Sequence, residues 1–114
     1  MHIFEDLDQE GLGALEAESF LEFEGMLFRK TAYNAAEINK LIEKGVATTD
    51  IQARINHQSL ISYGGSMEQQ RDAATRITEA WLKRVAVDFP MLYPTVIVET
   101  SPQEVLISIR AIAR

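Results

Sequence analysis

The sequence contains no cysteine in its 114 residues, and this absence excludes two common ways of stabilising a small protein. Without thiols the chain forms no disulfides, and it cannot build the zinc sites that need thiolate ligands. No apolar run approaches the ~18 residues needed to span a bilayer. The opening segment, Met1–Asp6, is too short and too acidic to serve as an export signal. We therefore expect a cytoplasmic protein that makes no use of a membrane.

Positive charge is missing from the first 28 residues, where Arg29 is the first base to follow eight acids. Those acids are Glu5, Asp6, Asp8, Glu10, Glu16, Glu18, Glu22 and Glu24. The remaining 86 residues carry nine acids and eleven bases, so the net charge of −6 arises at one end of the chain. Such a skew indicates a directed electrostatic surface. Because the eleven bases form no cluster, we expect no direct binding of nucleic acid. The negative surface indicates a basic protein surface as the partner.

The length and composition indicate one globular domain over residues 1–114. Hydrophobic residues make up 46% of the chain and charged residues 25%, proportions that argue against disorder. We divide the domain into an acidic helical part, residues 8–44, and a part that contains a sheet and a helix, residues 48–112. No internal repeat or low-complexity segment is present.

Apolar spacing predicts helices in the acidic part. Residues 8–31 place six apolar side chains on one helical arc, although a strand over Ser19–Thr31 is the competing interpretation and Gly25 weakens both. A second helix is predicted over residues 34–44, where Asn34 and Glu37 have the spacing of a capping box and Gly45 provides a stop. Whether these two helices are continuous stays open.

The spacing of apolar residues changes twice in the second part of the domain. Ile51, Ala53 and Ile55 alternate with polar residues, which predicts a half-buried strand. A short strand at Leu60–Tyr63 follows, or one strand runs through both segments, before Gly64-Gly65 breaks the chain. A helix is then predicted from Ser66 to Asp88, because Ser66 and Gln69 have the spacing of a capping box.

The end of the chain predicts a β-hairpin. Thr95–Thr100 and Val105–Ile112 are rich in β-branched residues, and Ser101-Pro102-Gln103-Glu104 has the composition of a type I turn. The predicted fold class is α+β, with a small antiparallel sheet of three to four strands, helices packed on one face and the order α-α-β(β)-α-β-β.

No motif for a known chemistry is present: neither a phosphate-binding glycine loop nor a metal-binding histidine pair nor a nucleophile elbow occurs. We therefore assign no catalytic residue, metal ligand or cofactor and favour a non-enzymatic protein. The sequence nevertheless contains one candidate ligand or anion site, which is formed by His57, Tyr63, Gly64, Gly65 and Ser66. It combines a histidine with a glycine turn before a capped helix, where free N–H groups can bind an anion.

The leading functional hypothesis is an acidic interaction module of the inhibitor, immunity or chaperone kind, which docks on a basic partner. The predicted docking surface consists of Glu16, Glu18, Leu21, Glu22, Glu24 and Phe28. One alternative is an assembly subunit that forms a homo-oligomer through the edge of its sheet. The other alternative is a small-ligand-binding protein or enzyme, which requires a concave pocket where His57 and Tyr63 converge.

Overall fold

A computed structural model describes residues 7–114 and confirms the α+β class with small antiparallel sheets. The helices are α1 (Gln9–Glu16), α2 (Ala35–Glu43), α3 (Thr48–Asn56) and α4 (Met67–Asp88), and Ile61–Tyr63 forms one turn of 3-10 helix. The strands are β1 (Phe20–Phe23), β2 (Met26–Arg29), β3 (Gln58–Ser59), β4 (Leu92–Thr100) and β5 (Val105–Ala113). The elements α1, α2, β3, α4, β4 and β5 follow the predicted order, and the β1–β2 hairpin and α3 are additional to it.

The C-terminal hairpin was predicted correctly, and it forms most of the larger sheet. β4 and β5 pair over their full nine residues, with Val96 opposite Ile109, and Ser101–Glu104 closes the turn. β3 adds two residues on the other side of β5, so the strand order is β3-β5-β4. β1 and β2 form a separate two-stranded sheet.

Two helices begin where the capping signals placed them. The side chain of Asn34 accepts a hydrogen bond from the Glu37 amide, 3.0 Å away, at the start of α2. Ser66 and Gln69 form a complete capping box at the start of α4, with both reciprocal bonds present. These bonds satisfy N–H groups that have no partner inside the helix.

The predicted helix over residues 8–31 is wrong beyond Glu16. The chain reverses at Glu24 and Gly25, whose φ angles are 51° and 81°, and the flanking residues pair from Phe23 with Met26 outward. Two central residues with positive φ are typical of the type I′ turn, whose twist matches that of a hairpin. The competing strand interpretation of this segment is therefore closer to the structure.

The predicted strand over residues 51–55 is also wrong, because the segment forms α3. The helix buries Ile51 together with two polar residues, Gln52 and Asn56, whereas the alternating pattern had assigned Gln52 and Asn56 to solvent. The strand predicted at Leu60–Tyr63 is shifted as well. Only Gln58 and Ser59 pair with β5, and Leu60 contributes a buried side chain before the 3-10 turn.

Gln52 and Asn56 connect the two sheets in place of a backbone ladder. Gln52 Oε1 accepts from the Leu27 and Ala111 amides, at 3.0 and 2.8 Å, and its Nε2 donates to the Ala111 carbonyl at 3.0 Å. Asn56 Oδ1 accepts from the Arg29 amide, and its Nδ2 donates to the Leu27 and Ile109 carbonyls, both at 2.8 Å. These bonds satisfy backbone groups of β2 and β5 that face each other across the joint.

The geometry of a helix explains why the side-chain amides of Gln52 and Asn56 can take the place of a neighbouring strand. Residues four apart on a helix are about 6 Å apart along its axis, and two residues of a strand span about 6.6 Å. Gln52 and Asn56 therefore meet β5 at alternate residues, Ala111 and Ile109. The joint depends on both side chains.

The apolar core lies in two clusters on either side of this joint. The larger contains Trp81 and the inward face of β5, together with residues of α1 and α4. The smaller contains Met26, Phe28, Ile38 and Ile51, so it draws on both predicted parts of the domain. Within residues 7–114, no helix has both the length and the apolar character needed to cross a bilayer.

Candidate functional site

A cavity of about 470 Å³ opens beside α1, at the end of β2 and the C-terminal end of α3. Its apolar lining comes from small residues of α1 and from Leu15 and Ala32. Its polar lining consists of Glu18, Arg29, Thr31, His57, Gln58 and Tyr63. Four separate segments of the chain therefore contribute hydrogen-bonding groups to one concave surface.

A buried ion pair forms the floor of this cavity. Arg29 Nε donates to Glu18 Oε1 at 2.9 Å, and the two side chains are only 6% and 5% exposed. The Thr31 hydroxyl donates to the same carboxylate oxygen. A buried charge without its partner is costly, so these two charged residues depend on each other for burial.

The guanidinium of Arg29 is held from several directions. Nη1 donates to the Asn56 carbonyl at 3.1 Å, and Nη2 lies 3.4 Å from the Thr31 hydroxyl. The guanidinium carbon stands 5.6 Å from the ring centre of Trp81, a favourable cation–π distance. Trp81 is itself fixed by a hydrogen bond from Nε1 to the Leu15 carbonyl at 2.9 Å. Each nitrogen of the guanidinium therefore has a hydrogen-bond partner within the protein.

The carboxylate of Glu18, in contrast, keeps one oxygen available. Its Oε1 accepts hydrogen bonds from both Arg29 and Thr31, whereas Oε2 accepts none from any residue between 7 and 114. Because Glu18 lines the cavity, Oε2 is an acceptor for a group that enters it. A carboxylate oxygen accepts most strongly from a charged N–H donor.

His57 and Tyr63 converge on the same cavity, as the ligand-site hypothesis requires. His57 Nδ1 lies 2.8 Å from the Arg54 carbonyl and donates to it, since a carbonyl only accepts; Nε2 is left as the free ring nitrogen. Tyr63 is half-buried, and its ring approaches α1 closely because residue 11 is glycine. A Cβ at Gly11 would lie 2.9 Å from Tyr63 Cδ1.

The other residues of the predicted ligand or anion site lie outside the cavity lining. Gly64 and Gly65 adopt φ angles of 74° and 82°, which turn the chain from the 3-10 helix into α4. The backbone amides of Ser66 and Gln69, two of the N–H groups that an anion would use, already donate to the side chains of Gln69 and Ser66 respectively. The anion cradle stays a prediction, whereas Ser66 caps α4 and the two glycines form the turn that precedes it.

The predicted docking surface needs correction at Glu18 and Phe28. Phe28 is fully buried in the smaller apolar cluster, and Glu18 is buried with Arg29. Neither side chain is available to a partner on the surface. The sequence pattern counted both as exposed because it placed the segment on one long helix.

The remaining members of that surface differ in their exposure and in their partners. Glu16 pairs with Arg76, at 3.4 Å, and is partly covered. Leu21 packs against the smaller cluster, and only Glu22 and Glu24 stand exposed on the β1–β2 hairpin. Glu5 and Asp6 lie outside the described residues.

Three residues that line the cavity, Arg29, Thr31 and Gln58, were not predicted as site residues from the sequence. A signal for Arg29 was present, because it is the first base after eight acids and so the nearest partner for one of them. Thr31 and Gln58 are ordinary polar residues whose roles depend on the hairpin and on β3. Neither element was predicted in its observed form.

The described residues bring no three histidine or carboxylate side chains close enough together to hold a metal ion. The polar groups that the cavity offers are hydrogen-bond acceptors, a histidine and a tyrosine. Comparison with known proteins finds no matching family model, no matching curated protein and no matching solved structure.

Proposed function

We propose that the protein binds a small organic molecule in the cavity between α1 and the end of α3. The observation that carries this proposal is the convergence of Glu18, Thr31, His57 and Tyr63, from four segments, on one concavity of about 470 Å³. Ligand sites typically combine an apolar lining with a few fixed polar groups in a space of this size.

The charges of the cavity select the ligand class. The cation of Arg29 is engaged inward, while Glu18 Oε2 is the free acceptor. His57 Nε2 is a further acceptor in the neutral ring. A ligand with an ammonium or amidinium group fits this arrangement better than an anion does.

A binding role accounts for the site better than a catalytic one. His57 Nδ1 donates to a backbone carbonyl, which fixes the ring, but within residues 7–114 no hydroxyl is hydrogen-bonded to Nε2, so the site contains no paired nucleophile and base. The acidic docking hypothesis has less support, because the glutamates of residues 16–24 are divided between a buried ion pair, a surface pair and the hairpin.

The proposal is tested by NMR titration with four matched probes: benzylamine, benzamidine, benzyl alcohol and benzoate. We expect the two cations to shift backbone amides of residues 14–18, 29–32 and 57–63, and benzoate to leave them unmoved. Equal binding of benzoate at these residues, or no shift with either cation, would refute the proposal.

Variants separate the cavity from the general acidity of the protein. Glu18→Gln keeps an acceptor for Arg29 but removes the charge, and we expect roughly tenfold weaker benzylamine binding, typical of a lost charged contact. Glu22→Gln is the matched control on the exposed hairpin and should bind as the unmodified protein does. Tyr63→Phe leaves the ion pair intact and gives a second readout if Glu18→Gln folds poorly.

A further inference from the structure

β4 is a free edge of the larger sheet. It pairs with β5 on one side, and within residues 7–114 no strand pairs with its other side. The amide of Ser101 donates to the Glu104 carbonyl at 2.9 Å, which marks this pair as hydrogen-bonded. In an antiparallel ladder such pairs alternate, so every second residue of β4 turns its backbone groups outward. The outward residues are Leu92, Pro94, Val96, Val98 and Thr100.

The C-terminal half of this edge has only one of the features that usually prevent pairing, the charge of Glu99. Edge strands are commonly protected by proline, lysine or a bulge. Pro94 protects the first half, because its missing N–H falls at an outward position. Residues 95–100 contain no proline and no base, and they pair with β5 without interruption. Their outward N–H and C=O groups are therefore free to accept another strand.

A two-fold axis at Val98 gives this segment a self-complementary register. Val98 of one copy then faces Val98 of the other, and Val96 faces Thr100, with about six backbone hydrogen bonds between the copies. This register leaves Pro94 outside the paired region. It also places each Glu99 opposite Ile97, whereas an axis one residue further along would set two Glu99 carboxylates against each other.

The same axis brings the two α4 helices side by side. α4 packs on both β4 and β5, so strands about 4.8 Å apart would set the helices of the two copies about 10 Å apart, a normal packing distance. A groove of about 440 Å³ beside Val98 and Thr100 is lined by α4 residues from Arg71 to Glu79, and Thr75 lies at their centre. In an antiparallel pair centred on Thr75, Arg71 of each copy faces Glu79 of the other.

We propose that the protein forms a two-fold dimer through the β4 edge, with a second copy of this chain as the partner. The position of Pro94 and the repulsion between two Glu99 carboxylates favour the axis at Val98, and the reciprocal charges of Arg71 and Glu79 are compatible with it. The proposal is independent of the ligand cavity, since no residue that lines that cavity belongs to β4 or α4.

Sedimentation equilibrium over a concentration series tests the proposal. We expect a concentration-dependent monomer–dimer equilibrium for the unmodified protein. Val98→Pro should abolish the dimer while keeping the fold, because the N–H that it removes faces outward and takes no part in pairing with β5. A monomer at every concentration, or a dimer that Val98→Pro leaves unchanged, would overturn the proposal.

A charge exchange tests the register and does not depend on the folding of the proline variant. Arg71→Glu and Glu79→Arg are both on the exposed side of α4, and each should weaken the dimer roughly tenfold by turning an attraction into a repulsion. The double variant restores the pairing with its signs reversed and should recover the affinity. Failure of the double variant to recover would contradict the register.

Discussion

Replacement of Gln52 by methionine should destabilise the protein by about 4 kcal/mol, although the two side chains have similar length and shape. The substitution removes the partners of three buried backbone groups: the Leu27 amide, the Ala111 amide and the Ala111 carbonyl. Each unpaired group costs about 1–3 kcal/mol, and the added apolar burial returns only about 1 kcal/mol.

This cost is large compared with the stability of an ordinary domain, which is about 5–15 kcal/mol. In a chain of this length each kcal/mol lowers the melting temperature by about 4 °C, so we expect a fall of roughly 15 °C. Urea denaturation measures the free energy of unfolding. Native-state hydrogen exchange then identifies the site, since the Leu27 and Ala111 amides should lose protection first.

Gln103→Met is the matched control, because Gln103 lies exposed in the turn between β4 and β5. It should change the free energy of unfolding by less than about 0.5 kcal/mol. A cost below about 1 kcal/mol for Gln52→Met would show that β2 and β5 do not depend on the amide, and the reasoning would fail.

The same joint predicts that Gln52 and Asn56 act together. Asn56→Leu removes the partners of the Arg29 amide and of the Leu27 and Ile109 carbonyls. Once the side-chain amide of either Gln52 or Asn56 is lost, β2 can separate from β5, and the backbone groups of both strands can then reach water. The double variant should therefore cost at least about 1 kcal/mol less than the sum of the two single variants, as contacting residues commonly do.

Three further predictions concern the cavity and the caps. Arg29→Lys should cost about 2–4 kcal/mol in urea denaturation, because one ammonium cannot replace the branched contacts of a buried guanidinium; a cost under about 1 kcal/mol would contradict this. Gly11→Ala should lower the melting temperature despite the better helix propensity of alanine, since the new Cβ would collide with the Asp8 carboxylate that caps α1 and would lie 2.9 Å from Tyr63 Cδ1; a rise would contradict these close approaches. Ser66→Ala should cost about 1 kcal/mol through the lost cap of α4, and Ser62→Ala, in the exposed 3-10 turn, is the comparison that should cost less.

The elements that the sequence predicted correctly are those with local signals. α2 and α4 begin at capping residues whose partners lie three positions away, and the β4–β5 hairpin is joined by a proline turn. In each case the interactions that define the element join residues close in the chain. Sequence patterns report such interactions directly.

The segment 48–56 shows why the pattern failed elsewhere. A period-two reading treats glutamine and asparagine as residues that face water, and Ile51, Ala53 and Ile55 then appear to share the buried face. In the structure Gln52 and Asn56 are buried because they complete the hydrogen bonding of β2 and β5. These partners lie 25 to 59 residues away, so no local pattern contains them.

Long-range pairing also changes the meaning of the acidic front, on which the docking hypothesis depended. Eight acids before the first base imply a strongly negative surface only if they are exposed together. Glu18 is instead neutralised by Arg29, eleven residues away, and Glu16 is paired with Arg76. Asp8 accepts a hydrogen bond from the Gly11 amide at the start of α1. Charge counted along the chain therefore overstates the field at the surface. Among residues 7–114, the carboxylate with the strongest structural case for binding is the most buried one, Glu18 at the floor of the cavity.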